Sequence, residues 1–168
     1  NATTIGGANI NAFVGIGQYD FTLPSTAQDS AFGLYIDSLT FGMGMFKPTI
    51  GDQAMNFTSL KLDAEGFGFV SGDLDFFTID GRDIVVDINT GKPLVQGFAP
   101  AVIDFAASFP DDGGLPVATS STGATPPVLL DFDGQPRILA SVGKATLQIS
   151  EFVYFTGSFA FELGPVRT

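Results

Sequence analysis

Tyr154-Phe155-Thr156-Gly157-Ser158-Phe159-Ala160-Phe161-Glu162-Leu163 alternates apolar residues with small or polar ones. A period of two is what a β-strand imposes on a chain with one dry and one wet face. Read back to Leu147, the odd positions stay apolar (Leu147, Ile149, Val153), while Thr146, Gln148 and Ser150 hold even ones. A single strand over that whole stretch would reach about 55 Å, so a bend or bulge is expected near Gly157. The phrase has an echo in Phe69-Val70-Ser71-Gly72-Asp73-Leu74-Asp75-Phe76. Aligning Gly72 with Gly157 also pairs Leu62 with Leu147, Ala64 with Ile149 and Phe67 with Phe152. An internal duplication of a β unit leaves such an offset.

In the first copy the even positions Leu60, Leu62, Ala64, Val70, Leu74 and Phe76 are expected in the core, with Phe67 and Phe69 on the other side. Rings on both faces predict that something covers this strand. Upstream, the apolar phase of Phe32-Gly33-Leu34-Tyr35-Ile36 and Leu39-Thr40-Phe41 switches around Asp37-Ser38, which predicts a bulge. Asp80-Gly81 reads as a hairpin turn and Asn89-Thr90-Gly91-Lys92 as a second turn. Residues 10–16, 128–132 and 138–142 read as strands, 99–109 as a strand or short helix, and 110–127 as a loop.

These elements predict an all-β class: an elongated antiparallel β-sandwich or curled sheet with an internal duplication and at most one short helix. The 168 residues form a single β-rich domain, divisible into two β units (about 1–91 and 92–168) that share a core. The second copy stops at Thr168 before any counterpart of the strand that follows Gly81, which would leave a sheet edge unpaired. Pairing with a neighbouring unit through strand 10–16 would close it. The assembly edge is therefore expected at Ile10, Ala12, Val14 and Ile16 on one side and Phe159, Phe161 and Leu163 on the other. A start at Asn1 without Met or signal peptide and an abrupt end read as an excerpt of a longer protein.

Composition narrows the function. Eighteen acidic residues against seven basic ones give a net charge of −11, which disfavours nucleic acid and anionic membrane. No stretch is apolar for long enough to form a membrane-spanning helix. Cysteine is absent, so packing and ladder hydrogen bonds must hold the fold.

Histidine is absent too, which removes Ser/His/Asp triads, Cys/His dyads and imidazole metal sites. Two carboxylates suffice for glycoside hydrolysis, and Asp73, Asp75, Asp131, Asp133 and Glu151 are available, but no Trp offers a platform for a sugar ring. Glu151 is expected at a bulge turned to solvent. No catalytic residue is assigned. For metals, Asp131-Phe132-Asp133-Gly134 and Asp111-Asp112-Gly113-Gly114 carry the acidic and glycine pattern of calcium turns, although Arg137 and Ile138 follow the first where an EF-hand needs its Glu. Calcium is the one cofactor these residues would suit. The rings Phe67, Phe69, Phe76, Phe77, Phe152, Phe155, Phe159 and Phe161 are expected to stack in a dry core, with an apolar cavity as the alternative.

Gly157-Ser158-Phe159-Ala160-Phe161-Glu162, Ala12-Phe13-Val14-Gly15, Phe46-Lys47-Pro48 and Val85-Val86-Asp87-Ile88-Asn89-Thr90-Gly91 resemble phrases in the repeat units of giant secreted bacterial surface proteins of the adhesin and RTX-like kind. The Gly-Gly-x-Gly-x-Asp nonapeptides of calcium-binding RTX rolls are missing here. The resemblance implies an exported, cysteine-free β-repeat at the cell surface, used in adhesion, matrix or filament. The expected function is non-enzymatic and structural or adhesive, through strand and surface contacts with copies of itself or adjacent repeats. A binding module for calcium or an apolar ligand is the alternative.

Overall fold

Six strands run far longer than the usual five or six residues. A computed structural model describes residues 1–50, 53–72, 77–92, 100–149 and 153–164. Its elements are β1 (Ala2–Ile16), β2 (Phe32–Phe46), β3 (Thr49–Ile50), β4 (Gln53–Ala54), β5 (Phe57–Ser71), β6 (Phe77–Gly91), α1 (Phe105–Ser108), β7 (Leu115–Val117), β8 (Val128–Leu130), β9 (Arg137–Ile149) and β10 (Val153–Leu163). The long strands form one open six-stranded antiparallel sheet in the order β1-β2-β5-β6-β9-β10, so β1 and β10 are its edges. The class is all-β, with α1 the one α-helix among the described residues.

Two segments cover one face of this sheet. Between β1 and β2, residues 17–31 fold over one end, where Phe13, Tyr19 and Phe21 pack on Ala31, Tyr35 and Val70. Between β6 and β9, the second cover puts Phe105, Val117, Leu130 and Phe132 into a core that Phe46, Ile103, Phe109 and Leu115 complete. Gly42 makes this contact close: a Cβ there would stand 2.7 Å from the Val128 Cβ. β7 lies inside the stretch expected to be loop, because Leu115–Val117 pairs with Val128–Leu130 and Val117 is buried.

A crease crosses the sheet. Asn9, Ser38 and Asp83 hold φ of 54°, 53° and 55°, a left-handed conformation that short polar side chains tolerate best. Asn9 and Ser38 are neighbours: the Asn9 amide donates to Thr40 Oγ1 at 3.3 Å and the Ser38 amide to Asn11 Oδ1 at 2.8 Å. Asp83 lies between the pairs Gly66↔Arg82 and Ala64↔Ile84, in a register that does not slip. At this line alternation inverts: in β2, Gly33 and Tyr35 are buried before it and Gly42 and Gly44 after it. This is the phase switch expected near Asp37-Ser38. In β10 the register shifts between Gly157 and Phe159, where a bend was expected.

Four expectations need correction. Asp80-Gly81 is no hairpin, since both residues lie inside β6, opposite Gly68 and Phe67; the Phe67 ring fills the space a Gly81 side chain would need. Asn89, Thr90 and Gly91 likewise continue β6 instead of turning. Leu147 and Ile149 end β9 while Val153–Leu163 forms a separate antiparallel strand, β10, with Val153 opposite Ile149. The expected phenylalanine core is also displaced, because Phe155, Phe159 and Phe161 are exposed and the core uses other rings. Gly72 closes β5 at φ 57° while Gly157 sits inside β10, so the echoed phrases hold different places in the sheet.

Candidate functional site: an uncovered apolar sheet face

Cross-strand pairing decides which side chains share a face. Tyr35 pairs with Gly68 and lies under the first cover, so their neighbours Leu34, Ile36, Phe67 and Phe69 point to the other side. Beyond the crease, Lys61 reaches Asp131 and Phe132 of the second cover, so Leu62 and its partners Phe41 and Val86 point away from it. Leu34, Ile36, Leu39, Leu62, Phe67 and Ile84 line one groove of about 410 Å³. Both covers therefore lie on the same face, and no described residue covers the opposite face.

This bare face is apolar from edge to edge. It includes Val14 of β1, 76% exposed, and Phe159 of β10, 64% exposed. Among the described residues whose pairing places them on it, none is charged. The charges lie on the covered side: Asp80 and Arg82 beside the first cover, Lys61 beside the second, and Asp63, Glu65 and Asp83 around a hollow at the crease.

The covered side is held by two polar clusters anchored on β6. At one end Asp80 accepts from Tyr35 Oη at 2.5 Å, from Ser25 Oγ of the first cover at 3.1 Å and from Arg82 Nε at 3.0 Å. Partial burial opposes ionisation of Asp80, but the hydrogen bonds from Arg82, Tyr35 and Ser25 outweigh it and hold the carboxyl below its ordinary range. Burial, then the Asp80 carboxylate, pushes the Tyr35 phenol well above its own. Tyr19 stacks on Tyr35 at 4.9 Å. At the other end Ser59 and Asn89 are fully buried. Ser59 Oγ donates to Asn89 Oδ1 at 2.8 Å, and Asn89 Nδ2 donates to the carbonyls of Ile103 at 3.0 Å and Gln135 at 3.3 Å. Both clusters satisfy buried polar groups while fastening a cover, and neither opens a cleft around a reactive side chain.

The proposed assembly residues Ile10, Ala12, Val14 and Ile16 lie on β1, and Phe159, Phe161 and Leu163 on β10. They are on opposite edges of the sheet and on its bare face. Of the calcium candidates, Asp131 is taken up by Lys61, Asp133 forms a backbone β-bridge with Asp104, and Asp111 and Asp112 lie in the turn after α1. Among the described residues no three acidic side chains gather closely enough to hold a metal ion. Asp73, Asp75, Phe76, Glu151 and Phe152 lie outside the described residues. Among the described residues no helix is long and apolar enough to cross a membrane.

No family model, curated protein or solved structure matches this chain. The geometry of the sheet therefore carries the functional reading.

Sequence reading missed the Tyr35–Asp80 and Ser59–Asn89 pairs because Asp and Asn beside glycine or threonine carry the signature of turns. The available signal was the length of the apolar alternation on either side of each.

Proposed function

We propose that this chain is a non-enzymatic, extracellular structural or adhesive β-unit that assembles with neighbouring units through strand and surface contacts, as in a filament, matrix or surface layer. The observation that carries the reading is the pair of free edges. With six strands in strict antiparallel order, β10 runs opposite to β1. A second unit placed beside the first in the same orientation therefore offers its β1 to β10 as one more antiparallel neighbour. Open edges of this length template such pairing unless something blocks them. Because the two edges differ, each contact leaves another edge free, and the array can extend without closing.

The test is electron microscopy of the protein at rising concentration, with backbone hydrogen exchange read in the same samples. Chains of regular units, with amides of β1 and β10 gaining protection as chains form, are expected. Separate particles whose edge amides exchange equally fast at every concentration would remove the reading.

A second reading, a binding module for an apolar ligand, is favoured by the groove between Leu34, Leu62, Phe67 and Ile84, whose lining is wholly apolar. Saturable uptake of a long-chain fatty acid by the unassembled protein would support it.

A further inference from the structure

The bare face needs a cover, and edge pairing does not provide one. A sheet extended through β1 and β10 keeps all its apolar faces on one side, still in water. We infer that this face packs against the same face of a second copy of this chain, forming a two-layer sandwich. The inference rests on the assembly reading in taking another unit as the partner. It stands on a different surface and predicts a different product.

Three observations select a second copy. The first is area. The chain exposes 10541 Å², against about 7,900 Å² for a compact protein of its 17.6 kDa mass. A sheet covered on one side only contributes to this excess of about 2,600 Å². Six strands spaced about 4.8 Å apart and about 50 Å long present a face of about 1,400 Å². Two such faces together bury about 2,800 Å², within the range of obligate homodimers and above that of transient contacts.

The second observation is charge. A chain of net charge −11 should repel its copies, but the described residues of this face include no charged side chain. Face-to-face packing leaves the acidic groups on the two outer surfaces, and no ion has to be desolvated. The same charge disfavours an anionic membrane as the alternative cover.

The third is shape. Stacked sheets sit about 10 Å apart with side chains interdigitated. Leu34 and Phe67 flank the groove of about 410 Å³ that runs toward Leu62 across the crease, and side chains of a facing sheet would fill such a furrow. A contact of one patch with itself is two-fold symmetric and closes at two chains.

The experiment is sedimentation equilibrium of the 168-residue chain, wild type beside Leu34→Glu and Phe159→Glu. Both side chains are mostly exposed in the single chain, and circular dichroism checks that each variant keeps its strand content. A wild-type particle of two chains, or of multiples of two where edges also pair, is expected, with each variant weakening the two-chain contact at least tenfold. Retention of edge-joined chains by Leu34→Glu would separate the two surfaces and support the inference. A wild type that stays single at 100 μM, about a hundredfold above a micromolar dissociation constant, would overturn it, as would variants that dimerise as tightly as wild type. Partitioning of single wild-type chains onto phosphatidylcholine vesicles, without dimers in solution, would also overturn it and assign the face to lipid.

Discussion

Asp80 and Asn89 are an odd number of residues apart on β6, yet both point to the covered face, where Asp80 holds Tyr35 and Ser25 and Asn89 holds Ser59 and the Ile103 carbonyl. In an unbroken strand an odd spacing puts two side chains on opposite faces. Asp83, at φ 55° between them, inverts the alternation. One left-handed residue thus lets one strand fasten both covers to the same side and keep the other side apolar.

Replacing Tyr35 with Phe deletes the hydroxyl that donates to Asp80 at 2.5 Å and leaves the ring stacked on Tyr19. A hydrogen bond to a charged acceptor contributes about 1.5–3 kcal/mol. Urea unfolding of Tyr35→Phe should show a loss of that size. An unchanged midpoint would mean that water replaces the phenol at no cost.

Asn89→Ala strips a partner from buried Ser59 and from two carbonyls. Each unsatisfied buried group costs about 1–3 kcal/mol. Hydrogen exchange should accelerate first in residues 100–136, the cover that Asn89 holds, before the sheet opens. Uniform acceleration across all six long strands would contradict a local fastening role.

Stability should depend on pH at both ends of the scale. The Asp80 carboxyl titrates below its ordinary value of 3.8 in the folded protein, so its contribution is complete above that value and is lost as pH falls through the depressed folded value. The Tyr35 phenol titrates above 10.0 when folded, so its contribution is complete below pH 10 and declines as pH rises beyond it. Thermal melts should fall at each extreme. Tyr35→Phe should lose its own part of the alkaline decline, and an identical decline in that variant would assign it to other groups.

Asp83→Val forces a β-branched residue into left-handed backbone, at about 1–2 kcal/mol, whereas Asp83→Gly fits the same conformation without a steric penalty. The valine variant should unfold at lower urea than the glycine variant. The reverse order would show that position 83 does not need left-handed backbone to hold the crease.

Gly42→Val places side-chain atoms where Val128 already stands, since even a Cβ would come within 2.7 Å of its Cβ. Overpacking of this kind costs about 1–3 kcal/mol. The melting temperature should drop. A wild-type value would mean that the second cover can shift away from β2.

Much of the fold was legible as periodicity. Leu147 and Ile149 of β9 share one face with the odd positions of β10 from Val153 to Leu163, because Val153 pairs opposite Ile149. The phase switch at Asp37-Ser38 could be read because apolar residues flank it on both sides. Asp80-Gly81 misled because its local preference for a turn is overridden by pairing on both sides, with Gly68 in β5 and Ala145 in β9. Of the candidate site, the alternation of residues 10–16 and 153–163 is legible as strand, but the bare face between them is not. Alternation shows that a strand has an apolar side and does not show whether another part of the chain lies against it.

An all-β chain of long amphipathic strands, strongly acidic and without histidine or cysteine, follows from residue order alone, because side-chain period and composition are local properties. That the covers formed by residues 17–31 and by the segment around Phe105 and Leu130 both fall on the side holding Asp80 and Asn89 emerges from the packing. The reason is physical: the crease at Ser38 and Asp83 inverts alternation within strands whose register continues, at Asn9 it coincides with a register shift, and which face is covered depends on contacts between residues far apart in the chain.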